Sequence, residues 1–376
     1  MRSRASRPRV VIAGLGDTGL LTAIRLAPHA DVVGVSPKPG LVSGQELGLR
    51  LTRPEEWARD YWISFDRFRR LDGVRIVHGT LVGLDLDGHT VSVESPDGSR
   101  LLEPFDALVI STGVTNGFWR RPDVESAAQL EAAIRETHRR VADAESVIVI
   151  GGGAAAVSAA FNTAATWPGK RVDLHFPGEI ALPEHHPRVW RALKKRLRER
   201  GVGLHPGHRA EIPDGFDGGA ITSNPVRWST GQPDAKADAV LWAIGRVRPN
   251  TGWLPPELLD AHGFVRVDQH LRVGGRQDVF AIGDVAATDR LRSSARARAD
   301  GVLAHNVRAA LDGGRLRAFK PAPRRWGSVV GAQDNVLEVF SPQGRAFTLP
   351  AWSTLQPFVV RRGIYKGIRP ADGASS

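Results

Sequence analysis

The sequence predicts an α/β protein with two glycine-rich nucleotide-binding units, and three observations support this. Two runs of mainly β-branched residues, 10–13 and 147–150, are each followed by a glycine loop and then by a helical stretch. This order lets the pyrophosphate of a dinucleotide rest on backbone N–H groups at a helix N-terminus. A later apolar strand, 278–282, ends in Gly283-Asp284. We therefore expect two Rossmann-like domains, one inserted in the other, with a β-meander and a small C-terminal α+β module.

The two glycine loops supply most of the candidate binding residues. Those residues are Gly14, Gly16, Asp17, Thr18 and Gly19 in the first loop and Gly151, Gly153, Ala154 and Ala155 in the second. One such loop alone is a weak signal. Two loops in register, together with the Gly-Asp motif, indicate a protein that holds two dinucleotides face to face.

The other elements of the first unit follow from apolar runs and breaker residues. We expect a helix over 20–26, a strand over 31–35, and a strand over 106–110 that ends in Ser111-Thr112-Gly113. Residues 36–70 are expected to be irregular because prolines break any long element. Residues 74–102 alternate short apolar runs with Asp-Gly turns, which predicts a β-meander.

The second unit and the end of the chain are assigned in the same way. The expected elements are helices at 126–141, 154–165, 187–200 and about 296–311, and strands at 171–176, 239–244 and 278–282. The helix at 187–200 is strongly basic. Residues 313–376 carry mixed strand and turn signals, and we expect them to form a separate cap.

Composition narrows the function classes. The chain has no cysteine, which excludes disulfides, thiolate metal sites and a Cys-x-x-Cys redox pair. Its formal net charge of +11 suits an anionic partner such as a membrane surface, a nucleic acid or a phosphorylated cofactor. A compositional bias towards arginine explains the charge equally well. No apolar run reaches the roughly 18 residues of a transmembrane helix, so we expect none.

The N-terminal segment bears on the cellular location. The apolar run at 10–12 follows several arginines, as it would in a signal peptide. The glycine loop directly after it favours the first strand of a nucleotide fold instead. We therefore expect a cytoplasmic protein, with peripheral contact at the inner face of the membrane as a further expectation.

Five motifs follow one another along residues 9–312. They are Gly14-x-Gly16-x-x-Gly19, Ser111-Thr112-Gly113, Gly151-x-Gly153, residues 243–250 (Ala-Ile-Gly-Arg-Val-Arg-Pro-Asn) and residues 279–284 (Val-Phe-Ala-Ile-Gly-Asp). Together they resemble the two-dinucleotide-binding flavoproteins of the pyridine nucleotide–disulfide oxidoreductase superfamily. Without cysteine, the chain is similar to the branch of type II NADH dehydrogenases, apoptosis-inducing-factor-like proteins and ferroptosis-suppressor quinone reductases. Its length, Phe319-Lys320-Pro321 and the module ending near Tyr365-Lys366 look most similar to the last group.

The resemblance implies a domain plan and a place for FAD. An FAD-binding domain would comprise residues 8–118 and 237–312, an NAD(P)H-binding domain residues 119–236, and a C-terminal cap or interface module residues 313–376. The residues implied to contact FAD are Gly14, Gly16, Asp17, Thr18, Gly19, Ser36, Lys38, Thr112, Gly113, Gly283 and Asp284. The Asp284 carboxylate is implied to bind the ribitol, and the helix after it to favour the anionic reduced flavin. A plain strand-end turn is the alternative interpretation of this motif.

NADH or NADPH is implied as the cosubstrate on the second loop. The residues implied to contact it are Gly151, Gly153, Ala154, Ala155, Gly245 and Arg246. For the segment that follows Gly245, an Arg-Pro-Asn turn at the crossover between domains is an equally good interpretation. Such a turn is also compatible with a place beside the nicotinamide.

Several positions depart from the family pattern. An acid at the end of the second strand of each unit normally binds a ribose hydroxyl. Ser36 takes that place in the first unit, with Lys38 nearby, and residues 176–178 of the second unit carry no acid. This permits NADPH, and the sequence leaves the preference between NADH and NADPH open. Ala156 replaces the third glycine of the second loop, and Ser158 stands where the resemblance implies a glutamate facing the nicotinamide.

The acceptor site has the weakest signature. Electron transfer from a flavin to a quinone needs a dry pocket rather than a nucleophile. Tyr365 and Lys366 are the candidate catalytic residues there, with Trp352 and Phe358 as further lining. Aromatic packing in a core is the alternative interpretation of these side chains.

Two basic segments are candidates for contact with anionic lipid, namely residues 188–200 and 361–366. For the first, an ordinary amphipathic helix with a solvated basic face is the alternative. The adjacent His185 and His186 predict a loop, because neighbouring side chains point in different directions and no cysteine supports a site. We therefore predict no metal ion.

These features predict an FAD-dependent NAD(P)H oxidoreductase that passes hydride to FAD and electrons to a small quinone-like acceptor. One alternative is a degenerate nucleotide-binding redox sensor or scaffold, whose charge recruits an acidic partner or nucleic acid. Another is a reductase of a small acidic electron-carrier protein that docks on helix 188–200. No nucleic-acid motif is present, so nucleic acid is not an expected partner. The sequence leaves the acceptor and the oligomeric state open.

Overall fold

The computed structural model describes residues 7–288, 291 and 298–370. Its strands are β1 Arg9–Ala13, β2 Asp31–Ser36, β3 Gly40–Val42, β4 Trp62–Ser64, β5 Arg75–His78, β6 Thr80–Asp85, β7 Thr90–Glu94, β8 Arg100–Pro104, β9 Ala107–Ile110, β10 Val114–Thr115, β11 Ser146–Ile150, β12 Arg171–Phe176, β13 Gly203–Pro206, β14 Ala239–Trp242, β15 Arg248–Pro249, β16 Val279–Ala281, β17 Ala332–Gln333, β18 Val336–Phe340 and β19 Ala346–Leu349. Its α-helices are α1 Asp17–Leu26, α2 Leu47–Thr52, α3 Pro54–Tyr61, α4 Ala127–Asp143, α5 Ala154–Thr166, α6 Pro187–Glu199, α7 Ala299–Asp312 and α8 Trp352–Gln356, and a π-helix covers Pro357–Ile364.

The first unit is built on a five-stranded parallel sheet with the order β16-β9-β1-β2-β5. Alternate residues of β1 face opposite sides of this sheet. Val10 and Ile12 pack in a core that contains residues of α1 and α7. Val11 packs in a second core that contains residues of β7, from the antiparallel β6-β7-β8 meander. A β-branched strand buried on both faces is typical of a covered parallel sheet, and the predicted α/β class is confirmed.

The second unit is a four-stranded parallel sheet with the order β13-β12-β11-β14. One face packs on α5 and α6. The other face, which includes Trp242 of β14, packs on Val226 and Trp228. The chain passes between the two units next to β10 and again next to β15. These two short strands pair antiparallel, with Val114 opposite Pro249.

The prediction that residues 36–70 are irregular was wrong. β3 pairs with β4, and α2 and α3 lie between them. Pro54 begins α3 instead of breaking an element, because the first helical position needs no N–H donor. All six residues of α2 are buried, so the helix has no polar face that a periodicity argument could detect.

Two other assignments differ in extent. Residues 74–102 were all predicted as meander, but β5 extends the parallel sheet beside β2, and only β6, β7 and β8 form the meander. The helix predicted at about 296–311 begins at Ala299 in the structure, and residues 296–297 lie outside the described residues. The other predicted elements agree with the structure to within a few residues at each end.

The C-terminal residues contact both units. β17, β18 and β19 form a three-stranded antiparallel sheet, and α8 and the π-helix follow it. Val329, Val330 and Phe340 are buried in the core of the second unit. Tyr365 is buried in the core of the first unit. This arrangement fixes the C-terminal module against both nucleotide-binding units.

Candidate functional site

The first glycine of each loop passes against the end of a neighbouring strand. Gly14 has φ +103°, and a Cβ there would lie 2.5 Å from the carbonyl oxygen of Ser111. Gly151 has φ +138°, and a Cβ there would overlap the carbonyl oxygen of Ala243. Both positions therefore require glycine for conformation and for space. The two loops are equivalent in structure as well as in sequence.

The second glycine of each loop faces open space. Gly16 and Gly153 are the N-cap residues of α1 and α5, and no side chain caps either helix. A Cβ at either glycine would meet nothing within 4 Å. Uncapped N–H groups that face an open volume suit an anion such as a pyrophosphate. Each loop can therefore hold one dinucleotide.

The third position explains why the loops tolerate different residues. A Cβ on Gly19 would overlap the carbonyl oxygen of Gly14, so α1 packs directly on its own loop. Ala156, in the second loop, already carries a Cβ, which would lie 3.3 Å from one built on Gly151. Ala156 is fully buried in the core of the second unit, so α5 packs there with the alanine in place.

A cleft of about 690 Å³ runs along the first loop. It brings together six of the predicted FAD-contacting residues, Gly14, Gly16, Ser36, Lys38, Thr112 and Gly113. Its volume is in the range of cofactor pockets. Its other polar lining residues include Arg50, Glu125 and Asn250. Sequence reasoning missed the first two, which come from α2 and from the segment before α4.

Glu125 places a carboxylate beside the end of β2, where the usual acid is absent. Ser36 is buried, and its hydroxyl accepts a hydrogen bond of 3.1 Å from the backbone N–H of Lys38. The Lys38 ammonium forms an ion pair with Glu125 and donates to the carbonyl oxygen of Asp123 at 2.6 Å. The end of the cleft beside β2 therefore contains a carboxylate that comes from a distant part of the chain.

Arg50 contributes a buried positive charge to the same cleft. Its side chain lies over the Trp57 ring, 5.0 Å from the ring centroid. Its Nη1 donates to the carbonyl oxygen of Trp119 at 3.0 Å, and its Nε is buried without a hydrogen-bond partner among the described residues. Burial lowers the pKa of Arg50 to about 10, so the group stays charged at neutral pH. A buried guanidinium in a cleft wall suits a phosphate ligand.

A second cleft of about 220 Å³ lies where the two units meet. Its lining includes Asp17 from the start of α1, and Ala154 and Ala155 from the start of α5. Asp284 also lines it and accepts a hydrogen bond of 2.7 Å from Nη1 of Arg120. The structure thus brings residues of both loops and the Gly-Asp motif to one cavity.

The Gly283 turn that precedes Asp284 is tightly packed. Gly283 has φ +83°, and a Cβ there would lie 2.6 Å from the hydroxyl oxygen of Thr18. Thr18 is itself buried within α1. The turn therefore packs on the first loop and positions Asp284 beside it.

Ser158 packs the two units together. Its hydroxyl accepts a hydrogen bond of 3.3 Å from the backbone N–H of Gly48 in α2. A Cβ on Gly48 would overlap the carbonyl oxygen of Ser158, so α2 and α5 are in close contact. Ser158 also lines the second cleft.

Asn250 forms the turn that sequence analysis offered as one interpretation. Its side-chain amide donates to the backbone carbonyl oxygen of Thr112 at 3.0 Å. The Thr112 hydroxyl donates in turn to the backbone carbonyl oxygen of Asn250 at 2.8 Å. Gly245 and Arg246 are exposed and line neither cleft. The structure therefore does not bring these two residues to the rest of the candidate site.

The candidate acceptor residues lie outside both clefts. Tyr365 is buried and packs edge-on against Phe68, with ring centroids 5.3 Å apart. Burial raises the pKa of Tyr365 well above its usual value, and the nearby Asp17 carboxylate raises it further. Lys366 is exposed, with φ +59°. Core packing is thus what the structure shows for Tyr365.

The basic helix α6 has the amphipathic character offered as an alternative. Val189, Trp190, Leu193 and Leu197 are buried. Arg196 forms an ion pair with Glu338, while Arg191 and Arg198 are exposed. Among the described residues, none belongs to a helix of the length and apolarity needed to cross a membrane.

His185 and His186 lie in the segment before α6, as predicted. His186 is the N-cap of this helix, and its Nδ1 accepts from the backbone N–H of Arg188 at 3.2 Å. Sequence analysis missed a different group of histidines, His175, His205 and His208. These residues are separated in sequence and meet at the ends of β12 and β13, so no local pattern indicated them.

Comparisons with known proteins agree with this geometry. Ferroptosis suppressor protein 1 of Xenopus tropicalis is 26% identical over 87% of this chain and 87% of its own length. Apoptosis-inducing factor homolog A of Dictyostelium discoideum is 22% identical over 89% of this chain and 86% of its own.

Solved structures share the fold. The ferredoxin reductase for the CYP199A2 system of Rhodopseudomonas palustris has a TM-score of 0.65, 17% identity, and coverage of 96% of this chain and 95% of that chain. The water-forming NADH oxidase of Lactobacillus brevis bound to NADH has a TM-score of 0.62, 18% identity, and coverage of 88% and 74%. Residues 8–301 match the family described as pyridine nucleotide-disulphide oxidoreductase. The chain therefore belongs to the pyridine nucleotide-disulphide oxidoreductase family.

Proposed function

We propose that this protein is an FAD-dependent NAD(P)H oxidoreductase that reduces a small quinone-like acceptor. The observation that carries the proposal is the second cleft, where Asp17 of one helix N-terminus and Ala154 of the other line a single cavity with Asp284. FAD, when bound, accepts hydride from a nicotinamide and passes the electrons on to an acceptor. The ferroptosis suppressor proteins among the relatives support the choice of acceptor class.

We assign the larger cleft to FAD. The uncapped N-terminus of α1 binds the pyrophosphate, and the buried Arg50 guanidinium adds positive charge to the wall of the same cleft. Ser36 and Glu125 accept hydrogen bonds from the ribose hydroxyls, in place of the acid missing from β2. Asp284 holds the ribitol end beside the second cleft.

We assign the N-terminus of α5 to NAD(P)H. Gly153 leaves space for the pyrophosphate, and the small side chains of Ala154 and Ala155 let the nucleotide approach the second cleft. No acid ends β12, so the chain accepts either nucleotide at the ribose, and NADPH is permitted as well as NADH. The chain has no cysteine, so the electrons leave the flavin without a protein disulfide.

Contact with a membrane would bring a quinone to the protein, and the π-helix is the best candidate surface. Phe358, Val359 and Ile364 are 45–56% exposed on it. Arg362 and Lys366 are exposed beside them. Exposed apolar side chains next to positive charge suit an anionic lipid surface. We therefore propose a cytoplasmic protein that contacts the inner face of the membrane through residues 357–366.

An absorbance spectrum followed by anaerobic addition of NADH or NADPH in separate cuvettes tests the proposal. We expect flavin bands that bleach with at least one nucleotide and return when a short-chain quinone is added. Bleaching without reoxidation by any quinone would contradict the proposal that the acceptor is a quinone. A colourless protein that cannot be loaded with FAD would contradict the whole proposal and favour the redox sensor or scaffold.

A protein acceptor is the second candidate, and the exposed basic face of α6 is the observation that favours it. Arg191 and Arg198 would steer a small acidic electron carrier. Charge reversal at both positions distinguishes the two candidates. The rate with an acidic carrier should fall at low salt, whereas the rate with a quinone should not change.

A further inference from the structure

Three histidines meet on the second unit, outside both clefts. His175 in β12 lies opposite His205 in β13, and the backbone N–H of His208 donates to the carbonyl oxygen of Phe176 at 3.0 Å. One ring nitrogen from each of the three histidines can be chosen so that all lie within 4.8 Å of one another. The cluster comes from two strands and the turn after them, so the fold of the sheet brings it together.

His175 is the buried member of the cluster and has an unused nitrogen. It is 5% exposed, and its Nδ1 is buried without a hydrogen-bond partner among the described residues. A buried polar nitrogen without a hydrogen bond destabilises the folded state, because it has lost its contact with water and gained no partner. The ring stacks on Trp228, with centroids 4.5 Å apart, and on His205 at 4.2 Å. Stacking holds the ring in place but leaves its nitrogen unpaired.

His205 and His208 each have one nitrogen already occupied. Nε2 of His205 lies 2.8 Å from Oδ1 of Asp173, and Nδ1 of His208 lies 2.9 Å from the carbonyl oxygen of Pro206. An acceptor on one nitrogen fixes the tautomer and presents the other nitrogen as a lone pair. Metal-binding histidines almost always show this arrangement.

We propose that His175, His205 and His208 bind one divalent transition-metal ion of the Zn²⁺ class, with water at a fourth, open position. Three imidazoles and no thiolate suit Zn²⁺ and its neighbours in the transition series. Ligands at 2.0–2.1 Å from a tetrahedral ion are about 3.3 Å apart. The His175 and His205 rings are stacked with only 9° between their planes, so one ion cannot lie in both planes as the rings stand. Binding therefore requires the partly buried His205 and His208 rings to rotate until each directs a nitrogen at the same point.

The ion would tie the strand ends that support the second glycine loop. The carbonyl oxygen of His175 accepts a hydrogen bond of 2.8 Å from the N–H of Gly151. The N–H of Gly207, between the two outer ligands, donates to the carbonyl oxygen of Gly178 at 3.2 Å. Metal binding should therefore raise the melting temperature of the protein, because it links β12, β13 and the following turn.

Titration with Zn²⁺ tests the site. The full chain, purified and stripped with a chelator, is titrated calorimetrically with ZnCl₂, and Co²⁺ is added to a second sample for its visible absorption spectrum. We expect one Zn²⁺ per chain, a higher melting temperature, and a Co²⁺ spectrum of low coordination number. No stoichiometric binding, or an octahedral Co²⁺ spectrum, would overturn the proposal.

Variants assign the ion to these residues. His208→Ala and His205→Gln should each weaken Zn²⁺ binding at least tenfold, and Asp173→Asn should weaken it about 10–100-fold through loss of the acceptor on His205. His262→Ala, at an exposed histidine, is the matched control and should bind as the parent does. Circular dichroism of each variant verifies the fold. Unchanged affinity in folded His205 and His208 variants would refute the assignment.

Discussion

The Arg120 guanidinium donates a 2.7 Å hydrogen bond to the Asp284 carboxylate in the wall of the second cleft. The pair places a positive charge at the end of the proposed FAD site. The Asp284 carboxylate therefore accepts hydrogen bonds from two partners, Arg120 and the proposed ribitol hydroxyls. Replacing each residue in turn shows which partner matters for cofactor retention.

Asp284→Ala should release FAD, because the variant loses the hydrogen-bond acceptor for the ribitol. We expect the ratio of flavin to protein absorbance after purification to fall at least tenfold. Arg120→Ala serves as the comparison, since it removes the ion pair and keeps the carboxylate. If the Asp284→Ala protein stayed fully loaded with flavin, the assignment of this residue would be wrong.

Alanine substitutions at the glycines of the first loop should separate folding from binding. Gly14→Ala should lower the free energy of unfolding by at least about 2 kcal/mol, since φ is +103° and the Cβ meets Ser111. Gly16→Ala should lower the free energy of unfolding of the apoprotein by no more than about 1 kcal/mol, because the space is open and the only loss is that alanine is a poorer N-cap than glycine. It should still weaken FAD binding, because the new methyl group occupies that space. Urea denaturation and flavin titration measure the two effects.

Gly153→Ala should distinguish the two nucleotide sites. It places the same methyl group at the N-terminus of α5 that Gly16→Ala places at α1. We expect normal FAD content and a raised KM for NADH and NADPH. If this variant instead lost FAD, and the protein that still held FAD had an unchanged KM for NADH and NADPH, the proposed assignments of the two loops would have to be exchanged.

Glu125→Gln tests the replacement of the missing acid. The amide is a poorer acceptor than the carboxylate, and it also loses the ion pair with Lys38. We expect FAD to dissociate about tenfold faster. A second variant, Lys38→Met, breaks the same ion pair and leaves the carboxylate available. Equal effects of both variants would mean that the ion pair, and not the ribose contact, is responsible.

The stability of the protein should fall between pH 7 and pH 5 because of His175. Burial, followed by the neighbouring His205 and His208, lowers the pKa of His175 to about 3. The unfolded chain takes up this proton near pH 6.5, so it binds more protons than the folded chain in this interval. Stability is then lost as the pH falls, by up to about 2 kcal/mol. Urea denaturation with a chelator present measures the slope, and His175→Leu should reduce it.

The sequence predicted those features whose signals are local. Glycines at Gly14 and Gly151 after β-branched runs identified both parallel sheets, because strand, turn and helix are adjacent in the chain. Arg50 and Glu125 could not be predicted as lining of the first cleft. Arg50 lies in α2, within residues that were predicted to be irregular, and Glu125 lies in the segment before α4. α2 was missed because a helix buried on all sides has no polar face.

The contacts of Ser158 could not be predicted either, because they depend on tertiary structure. The sequence showed that a glutamate was absent but not what serine does there. Its contact with Gly48 belongs to the packing of α2 on α5, which needs the positions of both helices. The same reasoning applies to the three histidines, whose nitrogens approach only when β12 and β13 are aligned in parallel.

The paired β10 and β15 strands and the α2–α5 contact join the two units at separate places. The C-terminal module is a third connection, because Val330 is buried in the core of the second unit and Tyr365 in the core of the first. Rotation of one unit against the other would break contacts at several of these places at once. The spacing between the two nucleotide loops should therefore be set by the fold, and ligands should enter and leave the second cleft without a large movement of the units.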